Sequence, residues 1–429
     1  MSDEEKFDAI VIGAGPAGTA CAYVLAKEGK SVLLIERGAT PGEKNVTGGR
    51  LYTYSLELVE KGLYERAPLH KKVVREKIMM LGKESAITID YVDPTFVADI
   101  PQSYTVLRAP FDEWFASEAE AQGAMLASGI LVEDLIEENN KIVGVKAGED
   151  EIYADIIIAA DGVNSFIAQK AGLREDIAAQ AVGVSAKEVI ELPDNVIADR
   201  FNLNNDEGAA GVIVGGMDGV TGGAFIYTNK DSISLGVVLN PEDTAQHGKK
   251  IYDILQDLKV HPSIYPLIKG GTTIEYGAHL VPEIGFHGMP DKLYKDGLLV
   301  IGDAAGMCIN TGTMIRGIDL AIVSGVAAAR AILKNEEYAT GDVGQLYIDE
   351  LENLKLLPTM RLYANMHKIL SLPRMMEVYP SLANEMMQFM FKVDGNLPER
   401  ADKAMLHILK KHVTFGQLIS DGWKGFKAL

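Results

Sequence analysis

The chain opens on an apolar run, FDAIVI at residues 7–12, with almost no alternation, the pattern of a parallel strand covered on both faces. A glycine-rich turn and a helical period follow, ending at Gly29, a residue suited to a left-handed helix cap. A second apolar run, SVLLIE, then closes on Glu36, so the first forty residues read as strand, tight turn, helix, strand. Farther along, YADIIIAADG and GLLVIGD are two more buried strands, each running into an aspartate beside a glycine. YTVLRAPFDEWFASEAEAQGA predicts an amphipathic helix with Phe111, Trp114 and Phe115 on its apolar side and Arg108 just ahead of it.

Elsewhere the period changes. Residues 73 to 105 and 172 to 290 alternate apolar and polar positions, as in SISLGVVLN and AVGVSAKEVIEL, between glycine-rich turns, which predicts an antiparallel sheet. From about residue 336 the period is helical and methionine is frequent. The expected fold is therefore α/β: a Rossmann-like domain assembled from residues 1–72, 106–171 and 291–335, an inserted antiparallel-sheet domain from 73–105 and 172–290, and a helical C-terminal region, 336–429.

Composition removes several functions. The balance of 41 basic and 60 acidic residues leaves a net charge of −19, which argues against nucleic acid as a partner and against attachment to anionic lipid by charge alone. No segment reaches the roughly eighteen apolar residues that span a bilayer, and the N-terminus is acidic where a signal peptide is basic, so a cytoplasmic protein is expected. Cys21 and Cys308 are the two cysteines, which cannot build a disulfide framework or a four-thiolate iron-sulfur cluster; any such cluster belongs to another polypeptide. Cys21 falls on the first helix as a small core residue, and Cys308 reads as a packing residue, since no resolving cysteine lies near it in sequence. The eight histidines show no paired ligand spacing, and no metal site is expected.

The turn VIGAGPAGTA satisfies GxGxxG in the required context. Gly13 permits the sharp turn, Gly15 admits a pyrophosphate close to the backbone, Gly18 lets the helix pack on the strand, and the helix N-terminus offers free N–H groups. Glu36, about twenty residues on, is placed to accept hydrogen bonds from ribose hydroxyls and to repel a 2′-phosphate. No second such unit occurs; GGMDGVTGG at 215–223 has the glycines without a following helical period. Asp303 is thus read as gripping the other end of the same ligand, with Gly302 allowing close approach. A ligand with a dinucleotide at one end and a polyol near the other is FAD, and Asp303 faces its ribityl chain. Arg108 is placed to pair with the pyrophosphate. The glycines at 312 and 317 sit at the start of a helix whose N–H groups suit negative charge on the flavin N1/O2 edge.

The order GxGxxG, NVTGGRLY, VLRAPFDEW, ADG, GAHLVPEIGF and GDAAG resembles that of the electron-transfer flavoprotein:quinone oxidoreductases, and more narrowly the FixC-type subunits of electron-bifurcating Fix/Etf complexes, over nearly the whole chain. KNVTGGRLY at 44–52 and GAHLVPEIGF at 277–286 carry the narrower resemblance; the other motifs are shared with aromatic hydroxylases and geranylgeranyl reductases. The resemblance implies FAD contacts at Gly13, Gly15, Pro16, Ala17, Gly18, Glu36, Arg37, Gly48, Gly49, Arg108, Asp161, Gly162, Gly302 and Asp303, with backbone contacts at Val132 for the adenine and at Met314 and Ile315 for the flavin edge. It implies no catalytic nucleophile. It also implies partners: the alpha and beta subunits of an electron-transfer flavoprotein, a quinone or menaquinone, and a separate ferredoxin-like iron-sulfur subunit. Two departures from related families bear on this. The hydroxylase pattern Asp-Gly, Ser-x-x-Arg is broken, because Ser165 is followed by Phe166, Ile167 and Ala168; and the C-terminus lacks the cysteine-rich ferredoxin-like segment of single-chain quinone oxidoreductases.

Tyr227, His279 and Glu283 are the candidate polar groups on the acceptor side. Met375, Met376, Met386, Met387 and Met390 with Phe389 and Phe391 admit two readings: an ordinary helical core, favoured because methionine fills irregular gaps, or an adaptable surface for a quinone tail, peripheral contact with a membrane, or a partner subunit. The alternative activity on the same scaffold is reduction of isoprenoid double bonds, as in geranylgeranyl reductases.

Overall fold

The computed structural model describes residues 6–43, 49–175, 179–204, 206–338 and 341–428. The strand Phe7–Ile12 lies at the centre of a parallel sheet, flanked by Val32–Glu36 on one side and Asp150–Ala159 on the other, with Met125–Ser128 and Leu298–Val300 beyond them. Ile10, Val11, Leu34, Ile157, Ile158 and Leu299 are wholly buried, as unbroken apolar runs require once helices cover both faces. All five strands point the same way, so their C-terminal ends share one edge. The first half of Asp150–Ala159 also pairs with Lys141–Ala147, which pairs with Asp134–Glu138.

The helix Pro16–Lys27 covers one face and stops as the sequence predicts: Gly29 has φ +80°, its N–H reaches the Ala26 carbonyl at 2.9 Å and the Lys30 N–H reaches the Leu25 carbonyl at 3.1 Å. This helix lies against the long helix Ile318–Tyr338 across small residues. A Cβ on Gly325 would sit 2.1 Å from the Ala17 carbonyl oxygen, so the two backbones touch where the first helix begins. On Arg108–Ala121, Phe111 and Phe115 are fully buried in the same core.

The second sheet runs in the order Thr272–Pro282, Val182–Glu191, Ser232–Leu239, Gly222–Thr228, Glu207–Val214, Leu69–Leu81, Ser103–Val106 and Gly49–Tyr52, with Ala86–Val92 beside Leu69–Leu81. It is mixed. Glu207–Val214 pairs parallel with Leu69–Leu81 while its other pairings are antiparallel. These two strands come from separate stretches of the chain, so no hairpin turn constrains their direction. The sheet also takes in Gly49–Tyr52 and the first rungs of Leu69–Leu81, which precede the segments whose alternation announced it.

Alternation likewise left out the helices Asp194–Phe201, Pro241–Gln246, Ile251–Val260 and Tyr265–Ile268. Ile254, Leu255 and Leu258 pack with Ile233, Leu235, Val237 and Leu239 into a second core. The helices thus cover one face of the sheet, and the intervening residues of each strand face the edge of the parallel sheet. In the C-terminal region Met386 and Phe389 pack on Leu382, Ile408 and Val413, and Met375 packs on Met366, Ile369 and Ala428, as a helical core requires, whereas Met390 and Phe391 are exposed by 58% and 78%. Among the described residues no helix is long and apolar enough to cross a membrane.

The close helix contact sets an expectation. Gly325→Ala must push the two helices apart, at a cost of about 1–3 kcal/mol typical of overpacking, read as a lower midpoint in urea unfolding.

Candidate active site

A cleft of about 420 Å³ lies between the C-terminal edge of the parallel strands and the uncovered face of the mixed sheet. Its floor begins at the first turn. Gly13 has φ +106°, and a Cβ there would lie 2.3 Å from the Ala160 carbonyl oxygen, so this corner is closed to other residues. At Gly15 the same test meets nothing within 4 Å, because the residue faces the cleft. Gly15 is also the N-cap of Pro16–Lys27, and no side chain caps that helix, which leaves its positive end open to the cleft beside Pro16 and Ala17. Gly18 lies behind the wall, where a Cβ would come 2.0 Å from the Gly13 carbonyl oxygen. Its role is helix-to-strand packing.

Glu36 is aimed by two backbone donors: the Ala14 N–H at 3.0 Å on one carboxylate oxygen and the Gly38 N–H at 2.6 Å on the other. Each oxygen retains a lone pair for a ligand. Arg37, Ile130, Leu131 and Val132 surround it on the wall. In the middle of the cleft, Arg108 is the first residue of its helix and grips the buried Asp112 through two bonds, Nε to Oδ1 at 3.0 Å and Nη2 to Oδ2 at 2.8 Å. This i,i+4 pair fixes the guanidinium at the wall rather than at the outer surface.

Two acids enter the cleft from two different loops: Asp303 interacts with Arg108 and Arg174, and Asp161 with Arg174. One Asp161 oxygen accepts the Ile167 N–H at 2.9 Å; the other is buried with no partner among the described residues. The Asp303 carboxylate also has no hydrogen bond to a described residue, and burial pushes its pKa up against the opposing charges of Arg108 and Arg174. Arg174 donates to the Ala304 carbonyl at 2.6 Å and Ser165, in the left-handed region at φ +51°, donates to the same carbonyl at 3.0 Å, so the two acid corners are tied together. Gly162 has φ +79° and lines the cleft; Gly302 has φ +63° and lies instead against Ala17, 2.8 Å from it if given a Cβ.

At the far end, Gly49, Arg50, Cys308, Asn310, Ile315 and Gly317 close the floor. Met314 is turned away: its sulfur accepts the Tyr52 hydroxyl at 3.4 Å, and Tyr52 is held between the guanidiniums of Arg50 and Arg316, 4.8 and 5.5 Å from its ring centre. Gly48 lies outside the described residues. The roof is the sheet: Ser185, Lys187, Phe225, Tyr227, Val238, His279, Val281 and Glu283 all line the cleft, with the Phe225 and Tyr227 rings stacked 5.2 Å apart. The three acceptor-side residues expected from the sequence are thus on one wall. Arg50, Lys187 and Phe225 are additional to them, and only the alternation of their strands hinted at a shared face.

Burial dominates the roof's electrostatics. It pushes the Tyr227 hydroxyl up to about 12 and the Glu283 carboxyl up to about 7. It pushes His279 down to about 4 and Lys187 down to about 7, helped in both by the charge of Arg108. The floor fits FAD. An uncapped helix start and Arg108 would suit phosphates, Glu36 would suit a ribose, and the carboxylates of Asp161 and Asp303 would suit the hydroxyl donors that a ribityl chain carries.

Comparison with known proteins agrees. The FAD binding domain family model matches residues 6–213, the ETF-QO ubiquinone-binding model residues 186–281, and the ETF-QO/FixC family C-terminal domain residues 365–429. Protein FixC of Escherichia coli O157:H7 is 44% identical over 99% of this chain and 100% of its own length. The probable electron transfer flavoprotein-quinone oxidoreductase YdiS of Escherichia coli strain K12 is 43% identical over the full length of both. Among solved structures, a geranylgeranyl bacteriochlorophyll reductase-like protein from Thermoplasma acidophilum has a TM-score of 0.72 at 19% identity, covering 97% of this chain and 98% of its own. A flavin-dependent brominase has a TM-score of 0.66 at 18% identity, covering 95% and 99%. At these identities the two structures share the fold.

The turn geometry gives a direct check. A Cβ on Gly15 meets no protein atom, so the urea unfolding free energy of flavin-free Gly15→Ala should stay within about 0.5 kcal/mol of the flavin-free parent, while FAD released on denaturation of the loaded protein should fall roughly tenfold, about 1.4 kcal/mol of binding. Loss of fold together with flavin would refute the assignment of that space to the cofactor. Cleft geometry and full-length likeness lead to one statement: the chain belongs to the ETF-QO/FixC family and is an FAD-dependent oxidoreductase.

Proposed function

We propose that the protein passes electrons from an electron-transfer flavoprotein, through FAD, to a quinone. The observation that carries this reading is the coincidence of two sites in one cleft. The floor has the features of an FAD site, and Lys187, Phe225, Tyr227, Val238, His279 and Val281 of the roof fall within the stretch matched by the ubiquinone-binding model. Bound FAD supplies a carrier that handles electrons singly or in pairs. The protein's own residues do the rest: Phe225 and Tyr227 offer a flat aromatic wall to a quinone ring, and the sheet excludes water from above. Backbone contacts of Met314 and Ile315 toward the flavin edge belong to this reading, with Ile315 on the wall.

Menaquinone as the acceptor, and operation within an electron-bifurcating assembly with the alpha and beta flavoprotein subunits, are part of the same proposal. Both cysteines are buried, so an iron-sulfur centre in that assembly belongs to a ferredoxin-like partner. A position at the inner face of the cytoplasmic membrane is supported by the last helix, Phe415–Ala428, where Phe415, Ile419, Trp423 and Phe426 form one exposed apolar stripe.

The test is direct. FAD-loaded protein mixed with reduced electron-transfer flavoprotein and a short-chain menaquinone should yield quinol, followed by its absorbance. An isoprenoid alkene offered in its place should gain no hydrogen by mass. Absence of quinol, with the ferredoxin-like subunit added as well, refutes the reading.

A further inference from the structure

We propose that Glu283 is the proton donor to the acceptor bound under the mixed sheet, delivering one of the two protons that a quinone takes up with two electrons. The inference rests on the quinone reading above. Its starting point is a carboxyl group with no partner: Glu283 lines the cleft, and none of its side-chain atoms makes a hydrogen bond or ion pair with a described residue. The fold makes room for it. The strand Thr272–Pro282 ends one residue earlier, the Glu283 N–H is held by the Ala181 carbonyl at 3.1 Å, and the carboxyl lies against Gly183 of the neighbouring strand. A Cβ on Gly183 would come 2.6 Å from the Glu283 carboxyl carbon, so the glycine admits this side chain at the wall.

Position in the cleft selects it from its neighbours. The phosphate end of the cofactor site is at Gly15 and Arg108, and the adenine end at Glu36 and Val132. The flavin end is therefore toward Cys308 and Ile315, the part of the floor with which Glu283 interacts through Cys308. The charged and titratable groups on the surrounding elements are His279 on the strand that leads into Glu283, Lys187 on the adjacent strand, Tyr227 and Arg50 on other strands of the same sheet, and Cys308, Asp303, Asp161 and Arg108 on the floor. His279 is neutral at pH 7 and Tyr227 holds its proton, while burial keeps the Cys308 thiol neutral. Lys187 interacts with Arg108, Glu275 and Asp112, and its charge acts on His279. Glu283 is the carboxyl that burial alone brings to about 7, where it can both give and recover a proton.

The step balances. Bound reduced FAD, held as the N1 anion, would supply two electrons and one proton. The Glu283 O–H bond breaks as a new O–H bond forms on one quinone carbonyl oxygen. The other quinone oxygen would take the proton that the cofactor supplies, and the Glu283 carboxylate recovers its own proton from solvent water.

The experiment uses the FAD-loaded protein, reduced photochemically and mixed in stopped flow with a short-chain menaquinone or with ferricyanide, which takes electrons without protons. Glu283→Gln should slow reoxidation by the quinone roughly hundredfold and abolish its titration near pH 7, while ferricyanide reoxidation is unchanged. Glu283→Asp should retain the titration. Independently of turnover, an infrared difference spectrum should show a protonated carboxyl band that titrates at about pH 7 in the parent and is missing in Glu283→Gln. Equal slowing with both oxidants, an unchanged quinone rate, or no such band overturns the proposal. If ferricyanide but not quinone reoxidises the parent protein, the quinone reading itself falls and the inference with it.

Discussion

Everything at the site depends on the parallel register of three strands that are distant in sequence. The Ala160 N–H bonds the Ile12 carbonyl at 2.9 Å and the Ile301 N–H bonds the Ala159 carbonyl at 3.0 Å. Those two bonds, at the ends of Phe7–Ile12, Asp150–Ala159 and Leu298–Val300, bring one glycine turn and two glycine–acid corners to one edge. Because parallel strands all release the chain at the same side, a ligand laid across that edge meets every corner at once. The contact is close enough to exclude a side chain at Gly13, where the Ala160 carbonyl already occupies the space. Only then do Asp161 and Asp303, far apart in the chain, line one cleft.

That layout was largely legible in the sequence because each corner is local. A strand, a glycine and an acid within a few residues encode both the turn and the group it presents, and Glu36 is found where the βαβ spacing puts it. The roof was less legible. Period-two alternation tells which residues share a face but not which face is buried, so Tyr227, His279 and Glu283 were accessible as guesses while Lys187 and Phe225, on the same face, were passed over. The parallel pairing of Glu207–Val214 with Leu69–Leu81 has no local signal, since it joins segments more than a hundred residues apart. Ile251–Val260 did carry one: its buried Ile254, Leu255 and Leu258 have helical spacing, obscured by the alternating strands on either side.

Arg108 teaches a related point. Its spacing to Asp112 is that of a helical ion pair, and such a pair at the surface contributes little. Here Asp112 is buried, and the carboxylate fixes the guanidinium in one orientation while leaving further N–H donors for a ligand. The pairing and the cleft position are therefore compatible: the acid positions the base. Met314 and Gly302 show the converse. Both are beside the cleft, where the Met314 side chain meets Tyr52 and a Cβ on Gly302 would meet Ala17.

The roof's ionisable groups show what such an arrangement costs. Glu283, raised from 4.5 to about 7, binds more protons folded than unfolded, so its contribution is full below pH 4.5 and is lost as pH rises through 7. His279, lowered from 6.5 to about 4, acts in the opposite sense: its contribution is full above 6.5 and is lost as pH falls through 4. Lys187, lowered from 10.5 to about 7, loses its contribution between 10.5 and 7 as pH falls. At neutral pH the cleft is therefore held by the rest of the fold against a poorly solvated ammonium beside Arg108. An anion placed there relieves both cations, which makes a bound phosphate-bearing cofactor part of what stabilises the wall that faces it.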